Sequence, residues 1–294
     1  MEHQFISLRP QEGETSPKLG VFRWASPGKT RCRLWALHGF HGDAVDFAGL
    51  FPFLPDGIEL FGIDLLGHGT SSRSVDDSEY LFPKTVDWFE RVAREVGGPD
   101  VLLGYSMGGR IALHYALVGG TVKSLVLIGA NPGLCSQKAL ENRRCWEQEL
   151  IERLSSGSME DFCSYWSNLP MMKTQSELMP QALWLELQSR RHQNGQRALI
   201  SVLRGLGVGQ MPSLWNRLKD LEVPVAYCVG DKDFKYQQIG ENFVTRASRA
   251  QLIRVPNSGH APHLENPVLL GEALSAFILQ RGFDCGVATK KGTH

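Results

Sequence analysis

The sequence has no surplus of charge of either sign, because 31 Lys and Arg residues balance 31 Asp and Glu residues. Such a protein has no general field that attracts nucleic acid or anionic lipid, so we expect neither as a partner. The sequence also lacks an apolar run near the roughly 20 residues that a membrane-spanning helix needs. Residues 1–13 contain neither a basic n-region nor an apolar h-region, so we expect no signal peptide.

Cysteines are few, with six in 294 residues. Their spacing fits neither a zinc site nor a dense disulfide framework, and Cys32 and Cys228 lie inside apolar, strand-like runs. We therefore expect reduced thiols in a cytoplasmic protein. The apolar fraction of 42% is typical of globular proteins, and the length fits one domain or a core domain with an insertion. The polar tail 282–294 is expected to fray, and nothing indicates the oligomeric state.

Short β-rich runs alternate with helical stretches along most of the chain. This alternation predicts an α/β fold with a mostly parallel central sheet and helices on both faces. We interpret segments 18–24 and 31–37 as two strands that pair with each other. Further strands are predicted at 58–64, 101–103, 123–128, 223–229 and 251–255, and helices at 107–117, 236–247 and 266–280.

The segment 135–214 interrupts this alternation. It contains no convincing strand but several amphipathic helical stretches rich in Trp, Arg, Gln and Glu. A structureless loop of that length is rare inside a compact domain, so we predict an inserted helical cap. The core is then formed by 1–134 and 215–294. Because ligands of open α/β sheets bind at the carboxyl ends of the strands, a cap at that edge makes a lidded pocket for a small substrate.

The segment Gly104-Tyr105-Ser106-Met107-Gly108 matches the G-x-S-x-G pattern of a nucleophile elbow. The pattern requires a short apolar strand before it and a helix after it, and both are predicted here. The sharp turn strains the serine backbone, and glycines stand where a side chain would clash with the neighbouring strand and helix. We therefore predict an α/β-hydrolase fold with Ser106 as the reacting nucleophile, at a helix N-terminus that favours negative charge.

A serine hydroxyl needs a histidine to take its proton. His260 directly follows the last predicted strand and precedes the final helix, which is where this fold presents that histidine, so we predict His260 as the base. His263, three residues further on, is the alternative base, or else a residue of the pocket wall. His38 and His68 precede the serine and are interpreted as structural or pocket-lining residues.

The third member of such a site must orient the imidazole and stabilise its charged form. Asp231 and Asp233 both follow a buried strand, and either could serve. We choose Asp233 because the loop has to extend beyond the strand end before it turns toward the histidine, while Asp231 caps the turn. The turn at Phe40 can aim a backbone N–H at the reacting centre. With the N–H of Met107 it forms a predicted two-donor oxyanion hole.

Beyond the fold, the segment 34–279 resembles the family of 2-succinyl-6-hydroxy-2,4-cyclohexadiene-1-carboxylate synthases (MenH) of menaquinone biosynthesis. Arg110, directly after the elbow glycines, is the most telling residue because many hydrolases lack it. In the predicted cap, Arg143 follows Pro-Gly-Leu, Trp166 stands in a W-x-x-x-P pattern and Arg190 precedes Gln-Asn-Gly. The other shared segments are 37–40, 64–69, 131–134, 230–235 and 259–263.

The resemblance implies a lyase that eliminates pyruvate from a cyclohexene substrate with succinyl and enolpyruvyl arms, without a cofactor or metal. A small substrate with several carboxylates needs forked cationic donors inside the pocket, which agrees with the arginines in these motifs. The residues that the resemblance assigns to substrate binding are His38, Tyr105, Arg110, Arg143, Trp166 and Arg190.

Two other interpretations stay open. The same serine, histidine and acid would serve a hydrolase of a small ester or a C–C bond, and the fold alone would serve as a binding module. Arg110 and the cap arginines favour the lyase, whereas a complete triad, elbow and oxyanion turn argue against a mere binding module. Trp166 could equally belong to the cap core. The choice of arginines follows the family spacing, since the cap also carries Arg144, Arg191, Arg197 and Arg204.

Overall fold

The structure, a computed structural model, describes residues 2–7, 17–26 and 28–281. Within these residues the strands are β1 Glu2–Ser7, β2 Lys18–Ala25, β3 Cys32–Leu37, β4 Ile58–Ile63, β5 Val101–Tyr105, β6 Ser124–Ile128, β7 Val225–Gly230 and β8 Ala250–Val255. The α-helices are α1 Phe82–Val96, α2 Met107–Leu117, α3 Gln137–Ser156, α4 Met159–Ser167, α5 Lys173–Leu178, α6 Gln181–His192, α7 Gln196–Leu206, α8 Phe234–Val244, α9 Pro262–Glu265 and α10 Pro267–Leu279. Short 3-10 helices lie at Ala44–Phe53, Asp77–Tyr80 and Trp215–Asp220.

The strands form one sheet in the order β1-β2-β4-β3-β5-β6-β7-β8. The pairings of β2 with β1 and β4 are antiparallel, and every pairing from β4 to β8 is parallel, which confirms the predicted mostly parallel sheet. The predicted pairing of segments 18–24 and 31–37 is wrong, because β4 lies between β2 and β3 and pairs with both. All six residues of β4 are buried, as a strand needs to be when helices cover both faces of its sheet.

Hydrophobic clusters cover both faces of the sheet. Because successive side chains of a strand point to opposite faces, Leu34 and Trp35 of β3 belong to different clusters. Trp35 packs in a cluster that includes Phe89 of α1 and residues of α2 and α8. Leu34 packs in a cluster that includes Leu274 of α10 and residues of the 3-10 helix Ala44–Phe53. The helices therefore lie on both faces, as predicted.

Five helices, α3 to α7, follow β6 within the segment 135–214. Three of them, α3, α4 and α7, enclose a hydrophobic cluster that includes Leu150, Phe162 and Leu199. α7 packs on the 3-10 helix Asp77–Tyr80 of the core, and α5 packs on α9. We propose these five helices as the cap over the core.

Among the described residues the cysteines at 32, 135, 145, 163 and 228 are free thiols. Cys285 and the tail 282–294, for which fraying is predicted, lie outside the described residues. None of the described helices combines the length and the hydropathy that crossing a membrane requires.

Candidate active site

Ser106 lies at the turn between β5 and α2. Its backbone has φ 49° and ψ −103°, a combination that residues with a side chain rarely adopt. A Cβ at Gly108 would overlap the carbonyl group of Leu37, and a Cβ at Gly104 would overlap the backbone of Gly108. The close approach of strand and helix therefore requires glycine at both positions. The turn presents Ser106 at the carboxyl end of β5.

A chain of hydrogen bonds joins Ser106 to His260 and Asp233. The Nε2 of His260 lies 3.2 Å from the Oγ of Ser106, and its Nδ1 lies 2.7 Å from the Oδ2 of Asp233. Asp233 follows β7 and precedes α8, where its Oδ1 accepts the backbone N–H of Tyr236 at 3.3 Å. A carboxylate on one ring nitrogen directs the other nitrogen toward the serine, which is the geometry of a base and its orienting acid.

The alternative acid and the alternative base that the sequence offered, Asp231 and His263, have other surroundings. Asp231 accepts the backbone N–H of Ser258 at 3.1 Å, so it holds the turn that precedes His260. His263 is 1% exposed, its ring stacks on Phe47, and neither ring nitrogen has a partner in the described structure. Burial lowers the pKa of His263 to about 3, so its imidazole is neutral at physiological pH.

The backbone amides of Phe40 and Met107 are available for a negative charge. Met107 begins α2 directly after Ser106, and Phe40 lies in the turn that follows β3. Neither N–H donates to another atom of the described residues, and both residues line the same cavity as Ser106. Unpaired donors beside a nucleophile are the arrangement of an oxyanion hole.

A narrow cavity of about 60 Å³ opens onto Ser106 between the sheet and helices α3, α4 and α7. Aromatic and aliphatic side chains form most of its wall, as in typical small-molecule sites. Its charged lining residues are Arg110, Arg143, Glu147 and Lys235, and its aromatic ones are Phe40, Tyr105, Trp146, Trp166 and Tyr236.

Arg110 and Arg143 bring positive charge into this cavity. Arg110 is 5% exposed, and its Nη1 donates to the carbonyl oxygen of Leu206 at 2.5 Å. Burial lowers the pKa of Arg110 to about 10, and the neighbouring charge of Arg143 adds to this effect. Arg143 donates from Nε to Oε1 of Glu147 at 2.7 Å. Two cations that repel each other in a buried site favour an anionic ligand.

Tyr105 and Trp166 line the cavity with unused polar atoms. The phenolic oxygen of Tyr105 and the Nε1 of Trp166 are buried and have no hydrogen-bond partner in the described structure. Most buried polar groups in proteins have a partner, so these atoms remain available to a bound molecule. Trp166 also contacts Phe40 edge to face, with ring centroids 5.1 Å apart.

Comparison with known proteins identifies the family. Residues 36–273 match the model of the Alpha/beta hydrolase family. The chain is 32% identical to the putative 2-succinyl-6-hydroxy-2,4-cyclohexadiene-1-carboxylate synthase of Bacillus subtilis, over 82% of this chain and 88% of that protein. It is 31% identical to the synthase of the same name from Photorhabdus laumondii, over 74% of each chain. The chain belongs to this synthase family.

A solved structure described as MenH from S. aureus has a similar fold. It superposes with a TM-score of 0.84 at 27% sequence identity, and the match covers 89% of this chain and 98% of that chain. The resemblance stated from the sequence is thereby confirmed, and the chain is an enzyme of the synthase family.

His38 does not line the cavity, and the substrate contact that the synthase pattern implies for it stays a prediction. It is fully buried, and its Nδ1 lies 2.8 Å from the carbonyl oxygen of Gly39. Its Nε2 accepts the backbone N–H of Leu65 at 2.9 Å. Because both ring nitrogens are engaged by backbone groups, His38 fixes the turn that presents Phe40.

Neither Arg190 nor its neighbour Arg191 is among the residues that line the cavity. The guanidinium of Arg190 donates to Asp43 at 2.8 Å, to Asp46 at 2.7 Å and to Glu186 at 2.9 Å. With three carboxylates as partners, Arg190 connects α6 to the 3-10 helix Ala44–Phe53 of the core. Arg190 is thus satisfied without a ligand, and its contact with substrate stays a prediction.

Arg191 is a cap arginine that the family spacing does not single out, although it has buried donors without a partner in the described structure. Arg191 is 4% exposed, and its Nη2 donates to the Oε1 of Gln175 at 2.9 Å. Its Nε and Nη1 have no partner in the part of the chain that the structure describes. Burial lowers the pKa of Arg191, and the charge of Asp46 opposes the shift. Successive residues of a helix point about 100° apart, so Arg190 and Arg191 face different surroundings. Sequence spacing alone does not show which of the two faces a ligand.

Lys235 is a second residue that the prediction missed. It lines the cavity together with Arg110 and Arg143, and burial lowers its pKa. Its position two residues after Asp233, at the start of α8, was a signal that could have found it.

Proposed function

We propose that the protein eliminates pyruvate from 2-succinyl-5-enolpyruvyl-6-hydroxy-3-cyclohexene-1-carboxylate to give 2-succinyl-6-hydroxy-2,4-cyclohexadiene-1-carboxylate, a step of menaquinone biosynthesis. The names of the relatives from Bacillus subtilis and Photorhabdus laumondii point to this reaction. The observation that supports this reaction is the set of charged residues that share a cavity with Ser106. The cavity contains Arg110, Arg143 and Lys235, which match a substrate with three carboxylates.

The reaction is a 1,4-elimination across the ring. Ser106 takes the proton from the ring carbon that carries the succinyl group, while His260 takes the hydroxyl proton of Ser106. The electrons of the broken C–H bond form a new ring double bond, the existing one shifts by one position, and the C–O bond to the enolpyruvyl group breaks. The leaving enolate takes a proton from His260 and becomes pyruvate. Asp233 stabilises the imidazolium that forms between these two transfers.

The abstracted proton is acidic because its carbon lies next to the succinyl ketone. Negative charge therefore develops on the ketone oxygen as the proton leaves. The free N–H groups of Phe40 and Met107 supply the hydrogen bonds for that oxygen, and one such donor typically contributes ~2.7–4 kcal/mol to catalysis. Ser106 relays a proton and never bonds to carbon, so the mechanism has no acyl-enzyme.

In this proposal, different cationic side chains bind different carboxylates of the substrate. Arg110 and Arg143 line the same cavity from different parts of the chain. Arg110 lies on α2 of the core, and Arg143 lies on α3 of the cap. The unpaired Nε and Nη1 of Arg191, close to Tyr105, offer a further forked donor. The cavity of about 60 Å³ is smaller than the roughly 300 Å³ of typical ligand pockets, so substrate entry requires the cap to shift.

The deciding experiment is incubation with the cyclohexene substrate, with pyruvate measured by coupled reduction to lactate and the protein mass followed during turnover. We expect stoichiometric pyruvate and diene from the wild type, no covalent adduct, and little turnover of p-nitrophenyl esters. Ser106→Ala is the matched control and should release no enzymatic pyruvate. Rapid ester turnover with a trappable acyl-enzyme and no pyruvate would replace the proposal with the serine hydrolase.

A further inference from the structure

A buried carboxylate connects the cap to the loop that carries His260. Glu265 lies on α9 and is 8% exposed. One of its oxygens, Oε2, accepts the backbone N–H of Gly259, the residue directly before His260. Its other oxygen, Oε1, accepts the hydroxyl of Thr174 at 2.8 Å. Thr174 belongs to α5, a helix of the cap.

The bonding pattern is that of an ionised carboxylate. Both oxygens of Glu265 accept hydrogen bonds, whereas a protonated acid would use one oxygen as a donor. Burial raises the pKa of Glu265, while the bonds from Thr174 and Gly259 and the nearby His260 counteract that shift. No Lys or Arg of the described residues forms an ion pair with it, so hydrogen bonds from Thr174 and from the backbone of Gly259 and Ala261 stabilise the buried charge.

The approach of the cap to this loop is close. A Cβ on Gly259 would overlap the hydroxyl of Thr174, so the loop passes α5 only because residue 259 has no side chain. Any shift of α5 therefore changes the hydrogen bonding of Glu265, and through it the backbone next to His260. The ring of His260 is otherwise held by Asp233 and packed against Tyr105 and Tyr236, all of which belong to the core.

We propose that Glu265 is a positioning residue that makes the placement of His260 depend on the position of the cap. With α5 in place, Thr174 and Gly259 share the carboxylate, and the loop holds His260 in line with Ser106. When α5 moves away, Glu265 loses the one donor that the cap supplies, and its carboxylate holds the loop less firmly. The proposal rests on His260 as the base of the proposed reaction, but the placement of its ring can be measured without substrate.

The test compares Thr174→Val, which keeps the shape and removes the hydroxyl, with Thr174→Ser, which restores it. Thr174→Ala covers the case in which valine does not fit beside Gly259. Ser176→Ala is the matched control, since Ser176 lies on the same helix and donates only to the carbonyl oxygen of Lys173. One readout is the downfield ¹H–¹⁵N resonance of the His260 Nδ1–H bonded to Asp233, assigned by its loss in His260→Ala. The other readouts are kcat and KM for the cyclohexene substrate and the Tm of each variant.

We expect Thr174→Val and Thr174→Ala to shift or broaden the His260 resonance and to lower kcat by about three- to tenfold, with KM changed less than twofold. Thr174→Ser should recover most of both effects, and Ser176→Ala should show neither. Glu265→Gln should lower kcat at least as much as Thr174→Val. An unchanged resonance and unchanged kcat in the valine and alanine variants, or a fall in Tm alone, would overturn the proposal. If the wild type releases no pyruvate, the proposed function fails, while the resonance still decides the inference.

Discussion

Arg190 and Arg191 are neighbours on α6 with opposite environments. The guanidinium of Arg190 meets three carboxylates, those of Asp43, Asp46 and Glu186. The guanidinium of Arg191 is buried, and two of its three nitrogens have no partner in the described structure. One residue is therefore satisfied without a ligand, and the other keeps two donors that a bound carboxylate of the proposed substrate would satisfy.

Exchanging each arginine for glutamine should separate these roles. Arg191→Gln should lower kcat/KM for the cyclohexene substrate by roughly tenfold or more, because a buried charged contact to a carboxylate is lost. Arg190→Gln should mainly lower the free energy of unfolding, by about 1.5–3 kcal/mol, because it removes charged hydrogen bonds between α6 and the core. Steady-state kinetics and denaturant unfolding measure the two effects. The reverse pattern would restore Arg190 as the ligand contact.

The proposed triad predicts a specific ranking of acid variants. Ser106→Ala, His260→Ala and Asp233→Asn should each lower kcat by roughly three orders of magnitude or more, with little extra loss when they are combined. Asp231→Asn is the matched control, since Asp231 bonds to the backbone of Ser258 and not to His260. A larger loss in Asp231→Asn than in Asp233→Asn would show that the chosen acid is wrong.

Lys235 and Lys232 offer a matched pair for the charge of the cavity. Both lysines are exposed, but Lys235 lines the cavity and Lys232 lies in the turn before Asp233. Lys235→Gln should raise KM by about threefold, because a carboxylate loses a charged partner at a solvent-exposed site. Lys232→Gln should leave KM and kcat unchanged. Equal effects of the two changes, measured at several salt concentrations, would indicate general electrostatics and not a contact.

The buried His263 makes stability depend on pH. Its folded-state pKa of about 3 lies far below the ordinary value of 6.5, so the unfolded chain binds the extra proton. The stabilisation is therefore complete above pH ~6.5 and is lost as the pH falls toward the folded value. His263→Phe keeps a ring on Phe47 but removes this titration. Between pH 7 and pH 5 the wild type should lose roughly 2 kcal/mol more unfolding free energy than the variant. An equal loss in both proteins would contradict the burial of a neutral ring.

The elements that the sequence predicted are those with strong local signals. β5 and α2 flank the elbow, and Pro267 with Asn266 marks the start of α10, where the Asn266 side chain accepts the N–H of Leu269. The pairing of β2 with β4 could not be read from the sequence, because strand order depends on long-range packing and not on local pattern. β1 was missed for the same reason, since it forms only by pairing with β2.

In the candidate site, too, some features were predictable from the local sequence and others depended on packing. Ser106, His260 and Asp233 each follow a strand end, and the ends of parallel strands meet at one edge, so their assembly was predictable. The direction of a cap side chain depends on the rotation of its helix, which a motif spacing does not determine. The motif spacing therefore pointed to Arg190 as a substrate contact and could not show that its neighbour Arg191 has the unpaired donors. The partners of Glu265 were equally out of reach, because they join α5 and α9 across 91 residues of sequence.

β6 and β7 are adjacent in the sheet, although the five cap helices lie between them in the chain. Their pairing during folding must close a loop of roughly 100 residues. Closure entropy grows only with the logarithm of loop length, so this loop costs about 2 kcal/mol more than one of ten residues. The order of folding events is affected more strongly than stability. β3 to β6 can pair with strands that are near in sequence, so we expect the long-range pairing of β7 with β6 to be the slower event.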